Sequence, residues 1–353
     1  MKFTAYITIG YVRIIHLLNY LGLYRQLNFK GSHIMLKVKS KPKPKPKAKP
    51  KARPKVGVVG LGNMGGGIAR NLARAGLPLA VWDTAPRAMK PFAGHSNVTA
   101  LHPGEMAGCC AAIIFVVPAS PEIDAHLKGK SGVLANADAR PANSARLALY
   151  DFTTSDPAYT KRLARRAAKK GVDYLDAGMS GGAAGAAAGT LTLMMGGDKT
   201  ALSRTRRYLK PFTNKIFHLG PSGSGHTLKL IHNMVCHSCF MATVEGGRMA
   251  ERAGLDLAQM IEVFNVANAR SYASEVRFPK HILNKKWDAK SRVYNLHKDL
   301  GMAVALGKSL GTEVSHGEAT LGFLKKAIAM GMSEKDYALL YRDFEKIRKT
   351  RKG

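Results

Sequence analysis

Between residues 55 and 220, short apolar runs alternate with stretches whose apolar positions recur every three or four residues, a pattern of strands separated by helices. The runs are Lys55–Val59, Leu79–Trp82, Ala111–Val117, Arg146–Phe152, the first part of Val172–Gly182, Thr190–Met195 and Lys215–Leu219. Ala111–Val117 is apolar throughout, as expected of a strand covered on both faces, and Pro118 stops it. Such alternation implies a parallel sheet with helices on both sides. Beyond Gly220 the strand pattern vanishes. Ser222–Arg252 has helical spacing of unusual length, interrupted only by Gly246-Gly247. Further helices are expected at about 256–267, 293–309, 315–330 and 333–349, the last opened by Ser333 with Asp336 in capping-box spacing.

The first apolar run leads straight into Gly60-Leu61-Gly62-Asn63-Met64-Gly65, and the residues after it place Ile68, Ala69, Leu72 and Ala73 on one helix face. Between a strand and a helix, glycines at this spacing suit a dinucleotide. One allows the tight turn, one lets the backbone approach a pyrophosphate, and one lets helix and strand pack closely. The free N–H groups at the helix start then face the phosphate charge. With 36 glycines in the chain the spacing alone is weak, and its context gives it weight. Leu79–Trp82 ends in Asp83, placed to accept the ribose hydroxyls and to repel a 2′-phosphate. That favours NAD; Arg87 works the other way and leaves NADP as the alternative. Val117-Pro118 and Thr153-Thr154-Ser155 follow strands at the carboxyl ends where ligands bind in such sheets. Thr154 is expected to face the cofactor, and Ser155 or Asp156, before Pro157, to cap the helix that closes at Gly171. The expected fold class is thus an α/β Rossmann-type dinucleotide-binding domain over 55–220, joined by a long helix to an all-α domain over 221–349. The active site is expected in the cleft between them.

Composition adds one feature. The 353 residues carry 55 Lys and Arg against 23 Asp and Glu, a net charge of +32, and no acidic residue precedes Asp83. Residues 37–55 alternate Lys or Arg with Pro and Ala, which neither buries apolar surface nor holds a helix. Residues 1–54 are therefore expected to be a disordered basic extension. Counterion release could draw such a tail to nucleic acid, but no aromatic residues or reading motif accompany the lysines, so a solubilising tail is favoured. Phe3–Tyr24 is apolar but interrupted by Arg13, His16 and Asn19, so no integral membrane span is expected. The acid-free start resembles a transit peptide without its serines, and Met35 is a candidate start. A cytoplasmic location is expected, the mitochondrial matrix being the alternative. Cys109, Cys110, Cys236 and Cys239 form no disulfide framework. Cys236-His237-Ser238-Cys239 falls inside a helix, where buried apolar cysteines are favoured over a redox or metal site, and no metal is expected.

Two segments carry candidate chemistry. Asp176-Ala177-Gly178-Met179-Ser180-Gly181-Gly182 ends a strand in a hydroxyl and two glycines, whose N–H groups with Ser180 could hold a carboxylate. Gly223-Ser224-Gly225 opens the long helix, on which Lys229 and Asn233 share one face. A lysine there can lose its charge and accept a proton, while the amide holds a reacting hydroxyl.

These segments, with the glycine turn and Lys298-Asp299-Leu300-Gly301, appear in the order found in the β-hydroxyacid dehydrogenases, and Lys55 to Glu345 resembles that family, in the 3-hydroxyisobutyrate dehydrogenase type. The resemblance implies that the glycine turn binds the dinucleotide and that Ser180, Gly181 and Gly182 hold a small hydroxy-carboxylate substrate. It makes Lys229 the acid–base catalyst and Asn233 the orienting amide, puts Lys298 near the nicotinamide, and suggests a homo-dimer or homo-tetramer. Gly178-Met179 replaces the usual Pro-Val, which is read as a more flexible turn. Thr153-Thr154 stands where Ser-Thr is common. The expected reaction is reversible hydride transfer between a β-hydroxy acid and NAD(P), with Lys298 pushing Lys229 toward neutrality. One alternative is an oxidative decarboxylase similar to 6-phosphogluconate dehydrogenase, disfavoured because Cys236 stands where that enzyme has a Glu. The other is a dehydrogenase-like scaffold tethered to nucleic acid by the basic tail, which would have no need of Lys229.

Overall fold

The computed structural model describes the strands Tyr6–Ile7, Tyr24–Lys30 and His33–Val38 and residues 55–140 and 144–349. The chain divides into two compact units, Met1–Pro50 and Lys51–Gly353. In the first, β1 (Tyr6–Ile7) and β2 (Tyr24–Lys30) both pair antiparallel with β3 (His33–Val38). The expectation of an extension without regular elements is corrected for these strands. The remainder of the Lys/Pro run lies outside the described residues.

The second unit opens with β4 (Val56–Val59), α1 (Asn63–Arg74), β5 (Leu79–Trp82), β6 (Val98–Ala100), α2 (Pro103–Cys109) and β7 (Ala112–Phe115). It continues with α3 (Ser120–Leu127), β8 (Ala148–Asp151), α4 (Pro157–Ala168), β9 (Asp173–Ser180), α5 (Gly182–Ala188), β10 (Leu191–Gly196) and β11 (Thr213–His218). These strands form one sheet in the order β11-β10-β9-β8-β7-β4-β5-β6. The order reverses at β4, so the glycine turn leaves the sheet at the crevice where the chain winds both ways. Val56, Val58, Ile114 and Tyr150 face one apolar layer, and Val59, Ile113, Phe115 and Leu149 face the other. Double coverage explains the unbroken apolar runs.

The expectation of a wholly parallel sheet fails at one pair: β9 and β10 run antiparallel. Only the short helix α5 separates them, too little chain to cross back to the starting edge for a parallel return. β6 was not foreseen, since three residues at an edge carry no periodicity.

After β11 the chain is helical: α6 (Ser224–Arg252), α7 (Leu257–Val266), a π-helical segment Ala273–Ile282, α8 (Val293–Ser309) and α9 (Ser315–Ala329). Helix α6 runs through Gly246-Gly247 without a break, and Gly247 is a packing site, where a Cβ would lie 2.9 Å from Tyr341 Cε2. Pro279, with no N–H to donate, falls inside the π-helical turns. The helix expected over 333–349 is replaced by two short ones, Leu339–Arg342 and Phe344–Lys349. Asp336 instead accepts from Lys290 N at 2.7 Å and Ala338 N at 2.9 Å, bracing the loop before α8. Phe240, Val244, Phe278, Leu300, Leu324 and Leu340 centre this second core. Among the described residues no helix is long and apolar enough to cross a membrane.

The joint between the layers is polar and buried. Gly223 N donates to Asp176 Oδ1 at 2.7 Å and His226 N to Oδ2 at 2.9 Å, so a carboxylate of β9 caps α6. A Cβ on Gly225 would lie 2.4 Å from Met194 O, so only glycine lets the helix settle there. Asp176→Ala should lose about 3 kcal/mol or more of stability, because two charge-assisted bonds go and two N–H groups are left unmet. Urea denaturation measures it.

Candidate active site

Each glycine of the first turn has its own constraint. Gly60 has φ +89°, and a Cβ on it would lie 2.3 Å from Val116 O and 3.1 Å from Val117 Cγ1. A Cβ on Gly65 would lie 1.9 Å from Gly60 O, whereas one on Gly62 would meet nothing within 4 Å. Turn, packing and open approach are therefore divided among Gly60, Gly65 and Gly62. Gly62 offers α1 no side-chain cap, which leaves the N–H groups of Asn63 and Met64 for an anion. Asp83 turns inward: Oδ2 accepts from Leu61 N at 2.6 Å and Oδ1 from Ala85 N at 2.8 Å. Gly60, Leu61, Gly62, Asn63, Met64, Gly65, Asp83 and Val117 thus meet at one crevice, with Pro118 exposed beside it. The open backbone at Gly62 and the uncapped helix fit a pyrophosphate.

Along β9 the side chains of Asp176, Gly178 and Ser180 share a face. Asp176 meets the first turn of α6, and a Cβ on Gly178 would lie 2.5 Å from Lys229 Cβ. Ser180 is one repeat further, about 7 Å along the strand. Gly178 and Met179 are therefore not a flexible turn, contrary to the sequence reading; both are paired strand residues, opposite Met194 and Leu193. What glycine supplies at 178 is room for the lysine stem. The turn proper begins at Gly181 (φ +117°) and Gly182 (φ +60°), both exposed.

Lys229 is half-buried, and burial depresses its pKa below the ordinary lysine value. The charge of Arg277 acts in the same direction, while Asp299 and Cys236 oppose it. Asn233, one turn on, donates from Nδ2 to Asp299 Oδ2 at 2.8 Å, and its Oδ1 lies 3.0 Å from His232 Nδ1. Lys298 Nζ reaches Thr154 O at 3.4 Å and Asp299 Oδ1 at 3.1 Å. Thr154 and Lys298 therefore meet, and Asp299 links them to Asn233. The expectation that Lys298 depresses Lys229 is corrected: burial and Arg277 do so, and Asp299 faces Lys298.

Three groups escaped the sequence reading. Asp299 follows Lys298 with no spacing that marks its role, Arg277 lies in π-helical turns without a pattern, and Asp176 caps α6 from a strand remote in sequence. Between Ser155 and Asp156, the cap of α4 is Asp156, which accepts from Ala158 N at 2.9 Å, while Ser155 bonds Ser120. His226, fully buried, meets Thr160 Oγ1 at 2.7 Å. Cys239 is exposed and Cys236 half-buried, a correction to the reading of both as buried.

Residues 55–220 match the model of the NAD binding domain of 6-phosphogluconate dehydrogenase, and residues 223–343 that of NAD-binding of NADP-dependent 3-hydroxyisobutyrate dehydrogenase. A Dictyostelium discoideum protein, named a probable mitochondrial 3-hydroxyisobutyrate dehydrogenase, is 32% identical over 293 residues, covering 81% of this chain and 89% of its own. The chain belongs to the β-hydroxyacid dehydrogenase family. The 2-(hydroxymethyl)glutarate dehydrogenase of Eubacterium barkeri is 28% identical, covering 83% of this chain and 95% of its own. The solved structure of a Mycobacterium tuberculosis 3-hydroxyisobutyrate dehydrogenase with L-serine superposes with TM-score 0.73 at 28% identity, covering 83% of this chain and 99% of the other. As a β-hydroxyacid dehydrogenase the protein is an oxidoreductase whose cofactor is a nicotinamide dinucleotide.

In this β-hydroxyacid dehydrogenase, Gly178→Ala should cost about 1–3 kcal/mol through overpacking against Lys229. It should also lower turnover more than NADH affinity, as urea denaturation and fluorescence titration of the cofactor would show.

Proposed function

We propose that the protein reversibly oxidises a small β-hydroxy acid of the 3-hydroxyisobutyrate kind to its semialdehyde, with Lys229 as general acid–base, NAD as cofactor and NADP as the alternative. The observation that carries the proposal is the placement of Lys229: half-buried, depressed in pKa, seated against Gly178 and one helical turn from Asn233. The relatives named for 3-hydroxyisobutyrate and 2-(hydroxymethyl)glutarate, and the solved structure that holds L-serine, support the substrate class, since each compound is an acid with a hydroxyl on the β carbon or on a one-carbon branch.

With its pyrophosphate held at Gly60–Gly65, a bound nicotinamide dinucleotide would supply the acceptor or donor of the hydride on the hydroxyl-bearing carbon. The protein's own residues handle the proton and the geometry. Neutral Lys229 accepts the hydroxyl proton at Nζ during oxidation, and its ammonium form returns it during reduction. Ser180 Oγ and the N–H groups of Gly181 and Gly182 hold the carboxylate. One amide hydrogen of Asn233 goes to Asp299, leaving the second for the hydroxyl oxygen. Lys298, close to Thr154 O, closes the crevice on the nicotinamide side. Decarboxylation is not part of the proposal: burial pushes the Cys236 thiol up, so it is a poor proton donor to an enediol.

The same proposal includes assembly as a homo-dimer or homo-tetramer through the helical domain. Ile231, Val235 and Met249 of α6 support it, being 43%, 54% and 72% exposed. A reducing compartment, cytoplasm or mitochondrial matrix, is proposed with it.

Lys229→Ala should lower kcat by about 10²–10⁴-fold and leave NADH affinity nearly intact; loss of cofactor binding would instead mark a structural lysine. The pH profile is a second test. Oxidation needs neutral Lys229, so kcat/KM should rise with pH through its pKa, below the ordinary lysine value. Asp299 raises that pKa, so Asp299→Asn should move the rising limb to lower pH, whatever it does to the maximum.

A further inference from the structure

We propose that Arg277 binds a second carboxylate at the far end of the substrate, so that this enzyme prefers a hydroxy dicarboxylic acid to a monocarboxylic one. The proposal rests on the reading of Lys229 as the proton acceptor.

Arg277 is half-buried on the π-helical segment, its guanidinium carbon 5.0 Å from the centroids of both Tyr272 and Tyr337. Among the described residues it faces no carboxylate, whereas Arg270 on the same stretch reaches Glu275 at 3.6 Å and Arg292 reaches Glu334 at 2.7 Å. Its charge acts on Lys229, Cys236, His237 and Tyr337, which places it beside the stretch of α6 that runs on from the lysine. Phe278, the next residue, is fully buried against Phe240 and Tyr341, so the segment is anchored.

Two more polar atoms of this cluster have no hydrogen-bond partner among the described residues, though both are buried: His237 Nε2 and Tyr337 Oη. Burial pushes the His237 pKa down to about 3, so at neutral pH the imidazole can offer an N–H without a second charge. A guanidinium, a phenol and an imidazole without acceptors all await the same kind of ligand. The flat guanidinium fork matches a carboxylate in two parallel bonds, and aromatic rings close to it favour a planar group over a tetrahedral one. A carboxylate at the Ser180 turn lies on the β9 side of Lys229, and the Arg277 cluster lies further along α6. A hydroxy acid with carboxylates at both ends would reach both while presenting its hydroxyl to Lys229.

The test uses the full chain loaded with NADH, with glutarate, butyrate and inorganic phosphate as unreactive probes followed by NADH fluorescence. Glutarate should bind at least about tenfold more tightly than butyrate, Arg277→Met should abolish the difference, and Arg277→Lys should keep part of it. In kinetics, the ratio of kcat/KM for 2-(hydroxymethyl)glutarate to that for 3-hydroxyisobutyrate should fall at least about tenfold in Arg277→Met. Equal binding of glutarate and butyrate by the unaltered protein, a preference untouched by Arg277→Met, or tighter binding of phosphate than of glutarate would each overturn the proposal. If Arg277→Met fails to fold, the unaltered protein's preference and Arg277→Lys decide. Selective glutarate binding through Arg277 with no hydroxy acid oxidised would overturn the catalytic reading of Lys229 and leave the anion site standing.

Discussion

The carboxylate of Asp176, sealed between sheet and helix, sets the geometry on which everything else depends. It accepts from the N–H groups of Gly223 and His226, and so fixes both where α6 starts and which way its faces point. Gly225 has no side chain to hold helix and sheet apart. Rotation of α6 by one residue would carry its side chains about 100° around the axis. With the first turn pinned, Lys229 falls on Gly178, Ser180 comes next along β9, and Asn233 follows one turn later. A capping interaction in the buried joint thereby becomes the alignment of the proposed proton acceptor with the turn proposed to hold the carboxylate.

Around that alignment the charges are graded. Burial alone would make Lys229 a weak cation, and Arg277 adds to the effect; Asp299 counters both. An acid–base group must be able to hold a proton and to release it, and a single opposing carboxylate keeps either state within reach. Asp299 does this while also holding Asn233 and pairing with Lys298. The lysine, the amide and the wall beside Thr154 are thus coupled through one side chain of α8, and a change there acts on all three.

What could be read from the sequence was local. The glycine turn and Asp83 lie within one strand–turn–helix and its neighbour, and the roles of Gly60, Gly62 and Gly65 follow from short-range sterics. Lys229 and Asn233 were legible because four residues make a helical turn and because their motif resembles a family. Gly178 was misread because its constraint comes from Lys229, remote in sequence, and nothing beside it marks a contact. The antiparallel β9–β10 pair was missed because apolar alternation gives no direction, and β6 because three residues have no period. Arg277 was invisible for a different reason: π-helical turns spoil the three-and-four spacing from which a buried face is recognised.

The large positive charge of the chain has little to do with this site. Much of it precedes Asp83, where no acid occurs at all. Within the folded part, the half-buried Arg166 and Arg204 each face a carboxylate, as groups drawn out of water generally must. Arg277 is half-withdrawn from solvent beside a second cation, Lys229, with two aromatic rings in place of a counter-ion. Cation–π contacts offset part of the desolvation but supply no acceptor for the guanidinium N–H groups. An anion arriving with the substrate would satisfy those donors and screen Arg277 from Lys229. It would raise the lysine's proton affinity only when an acid is in place, so substrate charge and catalyst protonation would be set by the same contact.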